Sequence, residues 1–424
     1  MTHPEQPLPD SDGQPAVDLL PAPVQPGPDL QVKAVPVRRW SWLTVGIVVA
    51  VVVLVAAGLG TWFALNRSDT VVSGSDSPQA AATKLLTDFG TNGLLGVVND
   101  LPPTEATLVR TTIDGTTSQA GQLGVHTSGI AFDSGSVEQV NDHIAVAKLV
   151  AGTISTGAQA PVNGMVTILH TAFSDWIPAA GKSGSVNVAQ LGHPVRIATV
   201  KVGGRWYPSA FYTIADAGLQ ALHQKWPSQS IAPLGADVPN EAVEDFMQAV
   251  VSPNIKLAIQ HTTADDMAAL HDAGQALVNA TSGAKRSGVV IGPIEFDDQD
   301  IAGGGVDVVL KDMTVTAHGQ HTLVTRNGDC FVVRTTSAQG RLCATSGQSQ
   351  NNAAVKSLPP VLVTLLQDMV NAGSANNSAG MISIETRESW YVDLGRTFTQ
   401  FTQNGSGSVD PQALTDVLGL TQAH

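Results

Sequence analysis

Two cysteines stand in 424 residues, and they do not form a C-x-x-C pair. That excludes a four-cysteine zinc ribbon and the usual redox dithiol. Basic residues are also scarce: 22 Lys and Arg face 36 Asp and Glu, a net charge of −14. An acidic balance argues against a nucleic-acid partner, because phosphates call for a cationic surface. The nucleophile elbow G-x-S-x-G is missing; its nearest approach, "GKSGS" at Gly181–Ser185, fails at the last position. The same stretch resembles the end of a P-loop, but Trp176 occupies the place of the loop's first glycine. No H-E-x-x-H is present, and His170, His193 and His261 are scattered without usable spacing. No catalytic residue, metal ligand set or cofactor is therefore expected.

What the chain does have is one long apolar run. Residues 40–65 carry no charge and no proline. A helix of that length, rising about 1.5 Å per residue, spans a hydrocarbon core of about 30 Å. Trp40 and Trp42 mark one interface, and Trp62 with Phe63 the other. Thirty-nine residues precede the run and no clean cleavage site follows, which reads as an uncleaved anchor rather than a signal peptide. Lys33, Arg38 and Arg39 before it outweigh Arg67 just after it, so the N-terminus is expected in the cytoplasm and the remainder outside. Residues 1–37 are rich in Pro and Asp and read as a disordered cytoplasmic tail; residues 38–67 are the transmembrane helix with its flanks and 68–77 a linker.

Cys330 and Cys343 lie beyond the anchor, in two short strands around a Gly-containing turn. On the oxidising side of a membrane such a hairpin is expected to hold a disulfide, worth roughly 3 kcal/mol by the chain-entropy argument. A zinc site would need further ligands, and only His318 and His321 are near in sequence.

The region outside the anchor reads as one pattern written twice. Ser77–Val98 aligns with Pro239–Ile259, placing Leu85, Leu86 and Phe89 on Phe246, Met247 and Val250 at helical spacing. Ser128–Asp133 aligns with Ile291–Asp297, and the strand-like His143–Ser155 with Gly305–Ala317. Each copy ends in a strand, a tight turn and a Trp-Tyr pair: Trp206 and Tyr207, then Trp390 and Tyr391. Gly203-Gly204 is a strong hairpin turn; Arg387-Glu388 holds the same place less typically. The equivalents stand 161 positions apart at the helices and 184 at the tryptophans, so the second copy gains about twenty residues late, around the Cys hairpin and a helical stripe through Val361, Leu362, Leu365, Leu366 and Met369.

The fold class is thus α+β: residues 78–228 and 229–405 form two related domains, each with helices packed on a curved antiparallel sheet, and 406–424 form a C-terminal tail. On these helix-then-strand runs and their R-W-Y-type endings, the chain resembles the cystatin/NTF2-like class. It also resembles tandem extracytoplasmic domains of single-pass envelope proteins in high-GC Gram-positive bacteria. That resemblance implies no catalytic residues.

Trp176, Trp206, Tyr207, Trp390 and Tyr391 are the candidate contacts to a ligand or partner, against the alternative that they are core rings. "FDDQD" gathers Asp297, Asp298 and Asp300, enough acid for Ca²⁺ but without the D-x-D-x-D-G loop, so a solvated turn is expected. The leading functional expectation is an envelope binding or scaffolding protein with a protein partner. The alternatives are a carrier for a lipid or other apolar ligand, with Ala198, Val200 and Val202 lining its space, and a carboxylate-based hydrolase.

Overall fold

Ser77 opens the first described helix by accepting a hydrogen bond from the Ala80 amide at 3.2 Å, with Pro78 in the first helical position. The computed structural model describes residues 74–106, 126–156, 184–281, 288–301, 304–317, 319–344, 352–376 and 380–404. The expected anchor at 40–65, both tails, Trp176 and His318 lie outside them. Among the described residues, no helix is long and apolar enough to cross a membrane.

The first half runs α1 (Pro78–Asp100), β1 (His126–Gln139), β2 (Ile144–Thr156), β3 (Gly184–Asn187), β4 (Val195–Val202), β5 (Arg205–Pro208) and α2 (Ala210–Ala221). The second runs α3 (Pro239–Val251), α4 (Ile255–Gln260), α5 (Ala268–Ala280), β6 (Val290–Asp300), β7 (Val306–Ala317), β8 (Gln320–Asn327), β9 (Cys330–Arg334), β10 (Gln339–Cys343), α6 (Ala353–Lys356), α7 (Pro360–Asn376), β11 (Met381–Thr386), β12 (Ser389–Val392) and α8 (Leu394–Asn404). The fold is α+β, with two curled antiparallel sheets.

Both sheets fork in the same way. Strand β2 has β1 along one edge; its other edge takes β4 beside Ile144–Leu149 and then β3 beside Thr153–Thr156. Strand β7 has β6 along one edge; its other edge takes β11 beside Val306–Val308 and then β8 beside Asp312–Ala317. Bulges interrupt both outer strands, and Phe132 faces Leu149 as Phe296 faces Leu310.

This register corrects the sequence alignment by one residue. Ala198 lies opposite Val146 and Ile382 opposite Asp307, so Val146 is equivalent to Asp307, 161 positions later. Aligning His143 with Gly305 had shifted the strand by one, which turns every side chain to the wrong face. The polar Asp307 masks the match: it is buried where Val146 is buried, and Gln400 Nε2 donates to it at 2.9 Å.

The leading helix differs between the halves. Lys84 Nζ reaches Asp88 at 2.6 Å and also Asp100. A straight helix would hold residues 84 and 100 about 24 Å apart, so α1 bends between them, where the run contains Gly90 and Gly93. In the second half Pro253 falls in this stretch and separates α3 from α4. The pair recurs there with its polarity reversed: Asp245 and His261, each 161 positions on, sit 3.5 Å apart at Oδ2 and Nε2. Helix α3 starts behind Val238, which makes no side-chain cap.

Apolar side chains from both halves form one continuous cluster, with Leu85, Leu86, Leu149 and Ile197 joined to Val243, Met247, Leu310 and Phe331. Burying each large side chain contributes about 1.5–3 kcal/mol. The first sheet is covered on both faces, beyond the single helical layer expected. Strand alternation puts Ala145, Ala147 and Leu149 toward α1. Ile144, Val146, Ala198 and Val200 face the other way, beneath Phe211 and Tyr212 of α2 and Ala268 and Ala269 of α5. The space expected beside Ala198 and Val200 is therefore filled, and Val202 is 41% exposed at the hairpin tip. Cys330 lies opposite Cys343 in the β9–β10 ladder, Cα atoms 4.3 Å apart, and the two are disulfide-bonded.

Candidate functional site

The two Trp-Tyr hairpins close their halves with one set of bonds. Trp206 exchanges both backbone hydrogen bonds with Ser75 at 2.8 Å; Trp390 does so with Ala236, at 2.8 and 2.9 Å. The residue before each partner is glycine because the tyrosine ring leaves no room. A Cβ on Gly74 would lie 2.5 Å from Tyr207 Cζ, and one on Gly235 would lie 2.8 Å from Tyr391 Cζ. Thr213 Oγ1 accepts from the Ala198 amide at 3.0 Å and Thr397 Oγ1 from the Ile382 amide at 2.9 Å. Each helix is capped three residues after its tryptophan, by Ser209 under the Tyr212 amide at 3.0 Å and by Asp393 under the Arg396 amide at 2.9 Å.

Of the five candidate contacts, Trp206 and Tyr207 are buried: Trp206 packs on Ala81 and Ala145, with Lys201 Nζ 5.7 Å from its ring centre. Trp390 is half-buried, and with Tyr391 it borders a cleft of about 590 Å³ between the halves. Thr104 and Pro233 close one side; Gly304, Gly305, Ile384, Glu385 and Arg396 form the other, and Asp265 and Asp266 sit in its wall. Asp297, Asp298 and Asp300 are exposed on β6 and do not line this cleft. Among the described residues, no three His, Cys, Asp or Glu side chains form a metal-ligating group.

The electrostatics of the cleft follow from burial. Asp266 is pushed up to about 6 by desolvation and by the charge of Asp265, with Arg396 opposing. Asp393, fully buried behind it, is held well above the usual carboxylate range by burial and then by Asp266, while the Arg396 amide and guanidinium oppose. Burial lowers the Arg396 guanidinium despite both carboxylates; its Nη1 donates to the Gly304 carbonyl, and its Nε lies 3.6 Å from Asp393 Oδ2.

Two perturbed carboxylates in a cleft invite an acid-base reading, and the first half shows a simpler one. Glu105 stands 161 positions before Asp266, as Ser209 stands 184 before Asp393. Glu105 accepts from Ser209 Oγ and from the Ala210 amide at 2.8 Å, so this carboxyl pins the start of α2. Desolvation raises it to about 8 against the pull of those donors. The second half keeps an acidic residue near the helix start and has Asp in place of Ser as cap, Asp393 accepting from the Arg396 amide.

In the first half the equivalent surface is already occupied. His143 and Tyr212 match Gly304 and Arg396, and Ile144 and Val200 match Gly305 and Ile384. Helix α5 lies over them: Ala268 and Ala269 pack on Ile144, Val200 and Tyr212. Asp272 accepts from Tyr212 Oη at 2.7 Å, meets His143 Nε2 at 3.1 Å, and also takes Ser230 Oγ. The sequence reading missed Asp266, Asp393, Arg396, His143 and Asp272. The 161-position offset from Glu105 to Asp266 was the available signal, once the repeat was in register.

Compared with protein-family models, with curated proteins and with solved structures, the chain has no match in any of the three.

Proposed function

We propose that this chain is a membrane-anchored binding or scaffolding protein of the bacterial cell envelope, an accessory subunit without chemistry of its own. Residues 40–65 anchor it with the N-terminus in the cytoplasm, and two related domains of cystatin/NTF2-like character work outside. The shared fork, closing bonds and caps support descent from one duplicated unit, and the cross-strand disulfide suits an oxidising compartment.

The observation that carries this reading is the cleft at the seam. It is a concave site with an aromatic wall and charged groups, and its counterpart in the first half is filled by a protein helix. The expected carrier space is closed by Phe211, Tyr212 and α5, so the open site is the polar cleft. The test places a photo-cross-linking residue at Thr386 of the full chain in intact membranes, followed by mass spectrometry. A recurrent protein adduct at that position is expected; a chain found consistently alone overturns the reading.

A further inference from the structure

Helix α5 covers one face of the first sheet, and the face that corresponds to it in the second half borders the open cleft. In the first half Ala268 and Ala269 pack on Ile144, Val200 and Tyr212, and Asp272 accepts from Tyr212 Oη at 2.7 Å. Those three covered positions are Gly305, Ile384 and Arg396 in the second half, and all three line the cleft. The floor thus suits a helix with a small residue on its inner side. The donor has changed: a neutral hydroxyl has become a guanidinium, so a carboxylate arriving at the place of Asp272 meets a positive charge. Asp266 and Asp393 already face that guanidinium, and burial holds both toward their neutral forms, which leaves Arg396 attractive to a further acid.

The chain carries a segment of that description beyond α8. Residues 411–421 lie outside the described residues and read "PQALTDVLGLT". Ala413, Leu414 and Asp416 repeat Ala269, Leu270 and Asp272 of α5 at the same spacing. Ala413, Leu414, Val417, Leu418 and Leu420 recur at helical period, and Asp410 with Pro411 is a helix-start pair. Six residues, Gly405 to Asp410, join the segment to the end of α8. Extended, they reach about 20 Å at about 3.3–3.6 Å each, and the way back along α8 to Arg396 is about 12 Å.

We infer that residues 411–421 dock as a helix in the cleft, with Ala413 over Gly305 and Ile384 and Asp416 on Arg396, so that the chain's own tail holds the site a partner would use. The regulatory sense of this rests on the binding reading above. A tether this short gives the tail an effective concentration on the order of millimolar, so a partner displaces it only by making better contacts.

The test places a photo-cross-linking residue at Gln412, the counterpart of Ala268, in the purified full chain, and maps the adducts by mass spectrometry. Intramolecular adducts on β7 or β11 beside Gly305 and Ile384 are expected. Asp416→Lys, which sets like charges together at Arg396, should lower their yield about tenfold, and Asp416→Glu should keep most of it. Adducts to residues 107–125, to a second copy or scattered over the surface overturn the proposal. So do the absence of any adduct and a yield that Asp416→Lys leaves unchanged. The Thr386 test in membranes reads separately. A partner adduct there, with no Gln412 adduct to the cleft floor, ends the tail's role and leaves the binding reading standing. A Gln412 adduct to the floor, with no partner at Thr386 even in Asp416→Lys, does the reverse.

Discussion

Glu105→Gln isolates one buried proton. The carboxyl is 5% exposed, accepts from Ser209 and Ala210, and is raised from 4.5 to about 8, chiefly by burial. Between those values the folded chain holds a proton that the unfolded chain has released. Stability is therefore fully present below the unfolded value and falls as pH rises toward the folded one, by about 1.4 kcal/mol per pH unit. Glutamine keeps the shape, offers an acceptor to the Ala210 amide and a donor to Ser209, and cannot ionise. Urea unfolding of the full chain, followed by circular dichroism between about pH 5 and pH 7, reads the difference. The variant is expected to gain about 3 kcal/mol on wild type across that interval, because the slope from this group is gone. Groups elsewhere, such as Asp100 and Asp266, titrate equally in both proteins and cancel. Parallel pH profiles would refute the reasoning, since they would mean that Glu105 is charged in the folded state. Glu105→Ala also cannot ionise, so its pH profile should run parallel to that of Glu105→Gln but about 1–3 kcal/mol below it, because it strips the helix start of its acceptor.

Arg387 and Glu388 sit at φ +55° and +66°, where the first half has Gly203 and Gly204; Arg387→Asn with Glu388→Gly should raise stability by about 1–2 kcal/mol in the same urea assay. Gly235→Ala, at φ +67° and against Tyr391, should lower the thermal midpoint, while Gly192→Ala, also at positive φ but with open space around it, should lower it much less. His143 is raised by its bonds to Asp142 and Asp272 against an opposing burial effect, so its contribution is present below the unfolded value near 6.5 and lost as pH rises through the folded one. Hydrogen exchange of α5, corrected for intrinsic rates, should show that loss in wild type and not in His143→Gln. Replacing Cys330 and Cys343 with serine should cost roughly 3 kcal/mol, measured against the oxidised wild type.

The closing hairpins were legible because a two-residue turn, a Trp-Tyr pair and a helix start are local and need no knowledge of the rest. The leading helix was legible through Leu85 and Leu86 for the same reason. The strand register was not, because Asp307 replaces Val146 on a buried face, and period-2 alternation cannot announce a buried aspartate whose partner is nearly a hundred residues away. The cleft was only half visible: Trp390 and Tyr391 stood out as rings, but Asp266, Glu385 and Arg396 come from different elements and meet only through the fork of β7. Nor does any local pattern show that α5, a helix of the second half, covers the sheet of the first.

That borrowed helix has a consequence for how the chain matures. Ile144, Val200 and Tyr212 have no lid until residue 272 and its neighbours have been made and delivered. A nascent chain stopped near residue 228 would show the surroundings an apolar strip with two idle hydrogen-bond donors. Synthesis must therefore carry the first half past its own end before it can be finished.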